Sequence, residues 1–172
     1  MTDAEADALL APAVPAGPGV WADLGAGGGT LTRALARRLG GGAVVAEDRD
    51  PPRLGTEAGT AIRPLVGDVR QLDAVGGVPD RLDGALCANV LHFLAEPAVV
   101  LATLARRLRE GGRVVVVEYD RARGGRYVPH PIPRRALGPL AASAGLGRVE
   151  VVGERASRFG GTLYVAVLRA AP

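Results

Sequence analysis

The sequence predicts an α/β fold built on one doubly wound, mostly parallel sheet, and three observations carry the prediction. An apolar run over residues 19–24 ends in Asp23-Leu24-Gly25-Ala26-Gly27-Gly28-Gly29, and helical spacing (Leu31, Leu35, Leu39) starts at once. Strand-length apolar runs and helical stretches then alternate as far as Tyr119. Finally, two strand-like runs, 149–153 and 162–168, are joined by only eight residues, 154–161. That link is too short for a parallel crossover, so the two strands pair antiparallel.

Taken in order, residues 3–11 read as a short amphipathic helix leading into a Pro/Gly-rich connector up to Gly19. The first strand spans 19–24. The glycines after it permit a sharp turn at positive φ and a close approach of ligand to backbone. A helix over 29–39 presents its free N–H groups behind that turn, and Gly40-Gly41-Gly42 closes it. Residues 43–48 form a second strand, and Pro51-Pro52 opens a short helix, since proline suits a first helical turn. The third strand, 62–67, stops at Asp68. A fourth, 82–87, runs into Ala88-Asn89-Val90-Leu91-His92-Phe93. From Pro97, the positions Val100, Leu101, Leu104 and Leu108 share one helical face, and Gly111-Gly112 ends that helix. Residues 114–119 read as an apolar run, as in a strand buried on both faces. A Gly/Pro/Arg segment, 121–133, precedes a helix at 134–144. The expected organisation is one domain: helix and connector (1–18), ligand-binding core (19–120), a lid (121–133), and a helix with the antiparallel strand pair (134–172).

Composition narrows the chemistry. The chain of 172 residues is long enough for a sizeable core. Its longest apolar runs are far below a membrane span, and its acidic first residues lack the order of a secretion signal. The single cysteine, Cys87, excludes an internal disulfide and fits the reducing cytoplasm. All 21 basic residues are Arg. The absence of Lys excludes Schiff-base chemistry, pyridoxal phosphate attachment and a P-loop lysine. A net charge of +3 is modest and gives no strong nucleic-acid signal.

Ligands of open parallel sheets bind at the carboxyl ends of the strands. The polar residues that punctuate this apolar chain fall there: Asp23 to Gly29 after the first strand, Asp48 after the second, Asp68 after the third and Asn89 after the fourth. At this point the chain resembles the class I, Rossmann-like S-adenosylmethionine-dependent methyltransferases, from Val20 to Leu168. The resemblance rests on Asp23-Leu24-Gly25-Ala26-Gly27, on Glu47-Asp48-Arg49-Asp50-Pro51, on Gly67-Asp68-Val69, on the segment 82–92, and on the turn Arg109-Glu110-Gly111-Gly112-Arg113, where Glu110 replaces the usual Pro.

The resemblance implies a seven-stranded sheet of order 3-2-1-4-5-7-6 with only the last strand antiparallel. It also implies S-adenosyl-L-methionine as cofactor and transfer of its methyl group to a small-molecule acceptor. Asp23, Gly25, Ala26 and Gly27 would hold the methionine part of the cofactor. Asp48, with Arg49 beside it, would take the ribose hydroxyls, although the adjacent Glu47 competes for that role. Asp68 and Val69 would meet the adenine, and the backbone at Asn89 the methionine amino group.

Methyl transfer from a sulfonium is an in-line displacement in which alignment supplies much of the rate, so no triad and no metal is expected. A base is needed where the acceptor must lose a proton. His92, His130, Tyr119, Tyr127 and Glu118 are the candidates, and His92, after the fourth strand, is the foremost. Arg123, Arg126 and Tyr127 of the lid would select an acceptor bearing negative charge. Methylation of RNA or protein and a non-catalytic cofactor-binding regulator are the rival readings. A nicotinamide-dependent oxidoreductase fits less well, because Thr30 stands where its glycine motif wants Gly or Ala.

Overall fold

The computed structural model describes residues 1–74, 76–157 and 161–170. Among the described residues, eight strands form one sheet of order β3-β4-β2-β1-β5-β6-β8-β7. They are β1 (Gly19–Leu24), β2 (Gly42–Asp48), β3 (Thr56–Glu57), β4 (Thr60–Val66), β5 (Leu82–Ala88), β6 (Leu108–Asp120), β7 (Leu146–Ala156) and β8 (Thr162–Ala170). Parallel pairing joins β4, β2, β1, β5 and β6. Strand β8 runs antiparallel to both β6 and β7, so it fills the slot between them. Leaving β3 aside, the order is the expected 3-2-1-4-5-7-6.

Among the described residues, four α-helices cover the two faces: α1 (Asp3–Leu10), α2 (Thr30–Leu39), α3 (Pro97–Arg107) and α4 (Arg134–Ser143). On one side α1 and α2 bury Leu9, Leu10, Leu35 and Leu39 against Trp21, Val44, Ile62, Val115 and Val165. On the other, α3 and α4 bury Leu101, Leu104 and Leu137 against Leu24, Ala85, Val114, Val116 and Tyr164. The side-chain alternation of the central strands thus feeds both layers. Cys87 and Trp21 are core residues, 0% and 1% exposed.

Three expectations need correction. The sheet has eight strands rather than seven, because β3 folds back antiparallel on β4 at the far edge. Its turn is Ala58-Gly59, with φ of 48° and 84°, the pair of positive φ angles that a two-residue hairpin requires. Second, Pro51-Pro52 does not open a helix. Pro52 and Leu54 lie flat against the glycine turn, where a Cβ at Gly29 would stand 3.0 Å from Pro52 Cβ and 2.7 Å from Leu54 Cδ1. Third, α3 stops at Arg107, and Gly111-Gly112 belong to an irregular start of β6 rather than to the helix end. The connections β2–β4 and β4–β5 therefore carry a hairpin strand and a 3-10 turn (Val69–Gln71) in place of full helices.

No helix among the described residues is long and apolar enough to cross a membrane.

Candidate functional site

The carboxyl ends of β1, β2, β4, β5 and β6 open onto three adjoining cavities, of about 530, 370 and 740 Å³. The first is lined by Gly25, Gly27, Glu47, Asp48, Arg49, Asp68, Val69 and Asn89, among others. The second takes in Asp23, Gly25, Ala26, Gly28, Asn89 and Tyr119. The third is bounded by Asn89, His92, Phe93, Tyr119, Arg121, Tyr127 and Val128. Asn89 is common to all three.

The glycine turn is held from β2. The Gly25 N–H donates to Glu47 Oε2 at 3.3 Å, the Ala26 N–H to the Glu47 carbonyl at 2.9 Å, and the Gly27 N–H to Asp48 Oδ2 at 2.9 Å. Three consecutive N–H groups of the turn are thus satisfied by two consecutive acids on the neighbouring strand. Gly25 is fixed by sterics as well as by its φ of 69°: a Cβ there would lie 2.6 Å from Val90 Cγ2.

The two adjacent acids differ in environment. Glu47 is 1% exposed, burial raises its carboxyl pKa, and its Oε1 has no hydrogen-bond partner. Asp48 is half-buried on the cavity wall, where Oδ1 accepts from the Asp50 N–H at 3.1 Å. Asp23 is buried beneath the turn. Its Oδ2 accepts from Thr32 Oγ1 at 2.6 Å, tying β1 to α2. Burial pushes the Asp23 carboxyl up to about 7, and the charges of Asp48 and Glu47 push the same way against the Thr32 hydrogen bond.

Asp68 lies two residues past β4, at the start of the 3-10 turn Val69–Gln71, and accepts from the Arg70 backbone N–H at 3.0 Å and from the Arg70 guanidinium. These bonds hold its carboxyl down, to about 2. Asn89 has a φ of 54°, uncommon for a residue with a side chain. Its N–H donates to the Val117 carbonyl at 2.9 Å, while its buried Oδ1 has no partner. Non-glycine residues held in the left-handed region cluster at functional sites, although Asn adopts it more readily than most.

His92 lies in a 3-10 turn (Leu91–Phe93) and is 2% exposed. Its Nδ1 is 2.7 Å from Glu118 Oε2, and its backbone N–H donates to Glu118 Oε1 at 3.2 Å. Glu118 is fully buried in β6. A carboxylate on Nδ1 fixes the tautomer with the proton there and leaves Nε2 as the free lone pair. The sequence offered both residues as candidate bases and did not show that they pair. The signal was present as one lone acid inside the apolar run 114–119.

The segment 121–133 is a compact turn. Gly125 and Val128 bridge each other at 3.0 and 3.1 Å, the His130 N–H donates to the His92 carbonyl at 2.9 Å, and Tyr164 OH donates to the Ile132 carbonyl at 2.8 Å. Of the three residues expected to meet the acceptor, Tyr127 lines the third cavity. Arg123 and Arg126 stand exposed on the turn outside its lining, with the Arg126 guanidinium 5.9 Å from the Tyr127 ring centre. Arg121 lines the cavity instead. Among the described residues no cluster of His, Cys, Asp and Glu could hold a metal ion.

Comparison with known proteins places this arrangement in a class. A family model described as a methyltransferase domain matches residues 22–114, just over half the chain, and the chain belongs to that family. Among curated proteins it is similar to the ubiquinone biosynthesis O-methyltransferase of Aeromonas salmonicida, 33% identical over 58% of this chain and 42% of that protein. The match thus takes in less than half of the relative's length. Among solved structures, the 1,6-didemethyltoxoflavin-N1-methyltransferase of Burkholderia thailandensis superposes with a TM-score of 0.70 at 22% identity, covering 99% of this chain and 78% of that one. The methyltransferase CalO1 of calicheamicin biosynthesis superposes at 0.67 with 23% identity, covering 98% and 54%. At these identities the likeness to the solved structures is one of fold.

Proposed function

We propose that the chain transfers the methyl group of S-adenosylmethionine to a hydroxyl of a small-molecule acceptor. The observation that carries the proposal is the convergence of three cavities at Asn89, with the third bounded by a histidine that a buried glutamate orients. Family membership and relatives that are themselves named methyltransferases support the same reading.

The residues fit the cofactor. The first cavity suits its nucleoside: Asp48, with Arg49 beside it, would hold the ribose as a two-oxygen acceptor, and Asp68 and the Val69 N–H would hold the adenine edge. Glu47, sunk beneath Gly25, is the poorer ribose partner. The second cavity suits the amino-acid end, along Gly25, Ala26 and Gly28, with Asp23 anchoring α2 under them. The unpartnered Asn89 Oδ1 and its strained backbone lie where both halves meet the acceptor.

When bound, the cofactor supplies an electrophilic methyl on a sulfonium with a neutral leaving group. The chain's part is alignment and one proton. His92 Nε2 takes the acceptor O–H proton as the O–C bond forms, and Glu118 stabilises the resulting imidazolium through Nδ1–H. Residues 121–127 cover the acceptor side, on a segment whose far end is held by the His130 and Ile132 hydrogen bonds.

Calorimetric titration with S-adenosylhomocysteine, followed by labelled-methyl transfer to a panel of hydroxyl compounds, tests the proposal. Saturable binding and turnover that collapses in His92→Gln are expected. Lack of binding removes the proposal, and binding without turnover on any acceptor turns it into the regulator reading.

A further inference from the structure

Resting on the methyl-transfer reading of the same site, we infer that the acceptor is a planar aromatic carboxylate, with its ring between Phe93, Tyr119 and Tyr127 and its carboxylate on Arg121. The chain has only six aromatic side chains (three Tyr, two Phe, one Trp), and three of them line this one cavity. Phe93 is 57% exposed and Tyr127 79% exposed, so a flat ring entering there buries apolar surface that the chain leaves to water. The His92 ring packs tilted against two of the three, 4.3 Å from Phe93 at 49° and 5.8 Å from Tyr119 at 60°, which sets these aromatics around the candidate base.

The charge of the cavity has one sign. Among the described residues that line it, Arg121 is the one arginine and none is an acid, since Glu118 is buried behind His92. Arg121 makes no ion pair with the described residues, a property it shares with Arg123 and Arg126, but of the three it alone lines the cavity. An unpaired guanidinium at the rim of an aromatic slot matches a carboxylate, which it can grip through two parallel N–H donors.

Position and size agree. The Arg121 N–H donates to the Tyr119 carbonyl at 3.0 Å, a tight turn that keeps Arg121 beside Tyr119 at the cavity. A cavity of 740 Å³ accommodates a fused two-ring system. The proton chemistry agrees as well. A phenolic hydroxyl ionises near about 10, within reach of an imidazole base, whereas an aliphatic alcohol lies far above it.

The test uses binding, so that it does not depend on turnover. 2-Naphthoate and its uncharged amide are titrated into the protein with and without S-adenosylhomocysteine. Wild type should bind the acid at least about tenfold tighter than the amide, one charge-assisted contact. Arg121→Gln should bring the two within about twofold. Arg123→Gln with Arg126→Gln should leave the preference intact, and Tyr127→Ala should weaken both ligands alike. Equal binding of acid and amide in wild type, or a preference that survives Arg121→Gln, overturns the inference. So does S-adenosylhomocysteine binding with no affinity for either naphthalene, an outcome that leaves methyl transfer standing. Conversely, naphthoate preference through Arg121 without any S-adenosylhomocysteine binding removes the methyl-transfer reading and keeps the anion site.

Discussion

Replacing Asp23 by Asn should stabilise the ligand-free protein, and by an amount that depends on pH in one direction. Asp23 is 2% exposed and accepts from Thr32 Oγ1. Burial raises its carboxyl from 3.8 to about 7. Below pH 4 the group is protonated in both folded and unfolded chains and contributes no penalty. Between 4 and 7 the unfolded chain ionises first, so stability falls as pH rises. Above 7 both states are ionised and the penalty is constant. At about 1.4 kcal/mol per tenfold difference in proton affinity, the full penalty is roughly 4 kcal/mol. Asn keeps an oxygen for Thr32 and carries no charge, so Asp23→Asn removes the penalty and keeps the hydrogen bond. Urea unfolding of both proteins at pH 4 and pH 8 measures it, and the gain of the variant over wild type should grow by several kcal/mol between the two. A gain that is the same at both pH values, or a loss at pH 8, refutes the reasoning.

Three further outcomes follow from the site. Asp48→Ala should lower affinity for S-adenosylhomocysteine at least about tenfold, as loss of a charge-assisted contact implies, while Glu47→Ala changes it less. The reverse ranking, read by calorimetry, would give the ribose to Glu47. Gly25→Ala should destabilise by about 1–3 kcal/mol, since it combines φ of 69° with a Cβ 2.6 Å from Val90 Cγ2. Pairing it with Val90→Ala should recover part of the loss in a denaturation experiment, and full recovery would leave nothing to the backbone. Glu118→Gln should leave KM for the cofactor unchanged, lower kcat and move the pH profile of kcat. A fall in kcat with an unmoved profile would make Glu118 structural only.

What the sequence revealed follows from the range of the forces involved. The spacing of Leu31, Leu35 and Leu39 located α2 to within a residue, because the burial period of a helix is written locally. The short link at 154–161 settled the direction of β8, because chain length alone forbids the alternative. The strand-end positions of Asp48, Asp68 and Asn89 were legible for the same reason: the apolar runs stop there. Non-local matters were hidden. Pro51-Pro52 had good local grounds for a helix, but packing of Pro52 and Leu54 under Gly29 decided otherwise, and the true signal was the Ala58-Gly59 turn a few residues on. The bond between His92 and Glu118 spans 26 residues and two strand ends. Arg121 was passed over for Arg123 and Arg126, since three arginines in one loop look alike until the direction of the chain leaving β6 is known.

The insertion of β8 between β6 and β7 has a consequence for synthesis on the ribosome. Strand β7 has no place in the sheet until β8 arrives, because its ladder partner is β8 alone. A nascent chain that has emerged as far as residue 156 therefore carries β6 with its outer edge bare, and β7 with nothing to pair with. An open edge of Val114 to Val117 is a template for strands of other molecules. Until Thr162–Ala170 docks, that edge should recruit chaperones. Arrested chains carrying residues 1–156 or 1–170 ahead of a linker of tunnel length would expose the difference as co-sedimenting chaperone in the first and native compaction in the second.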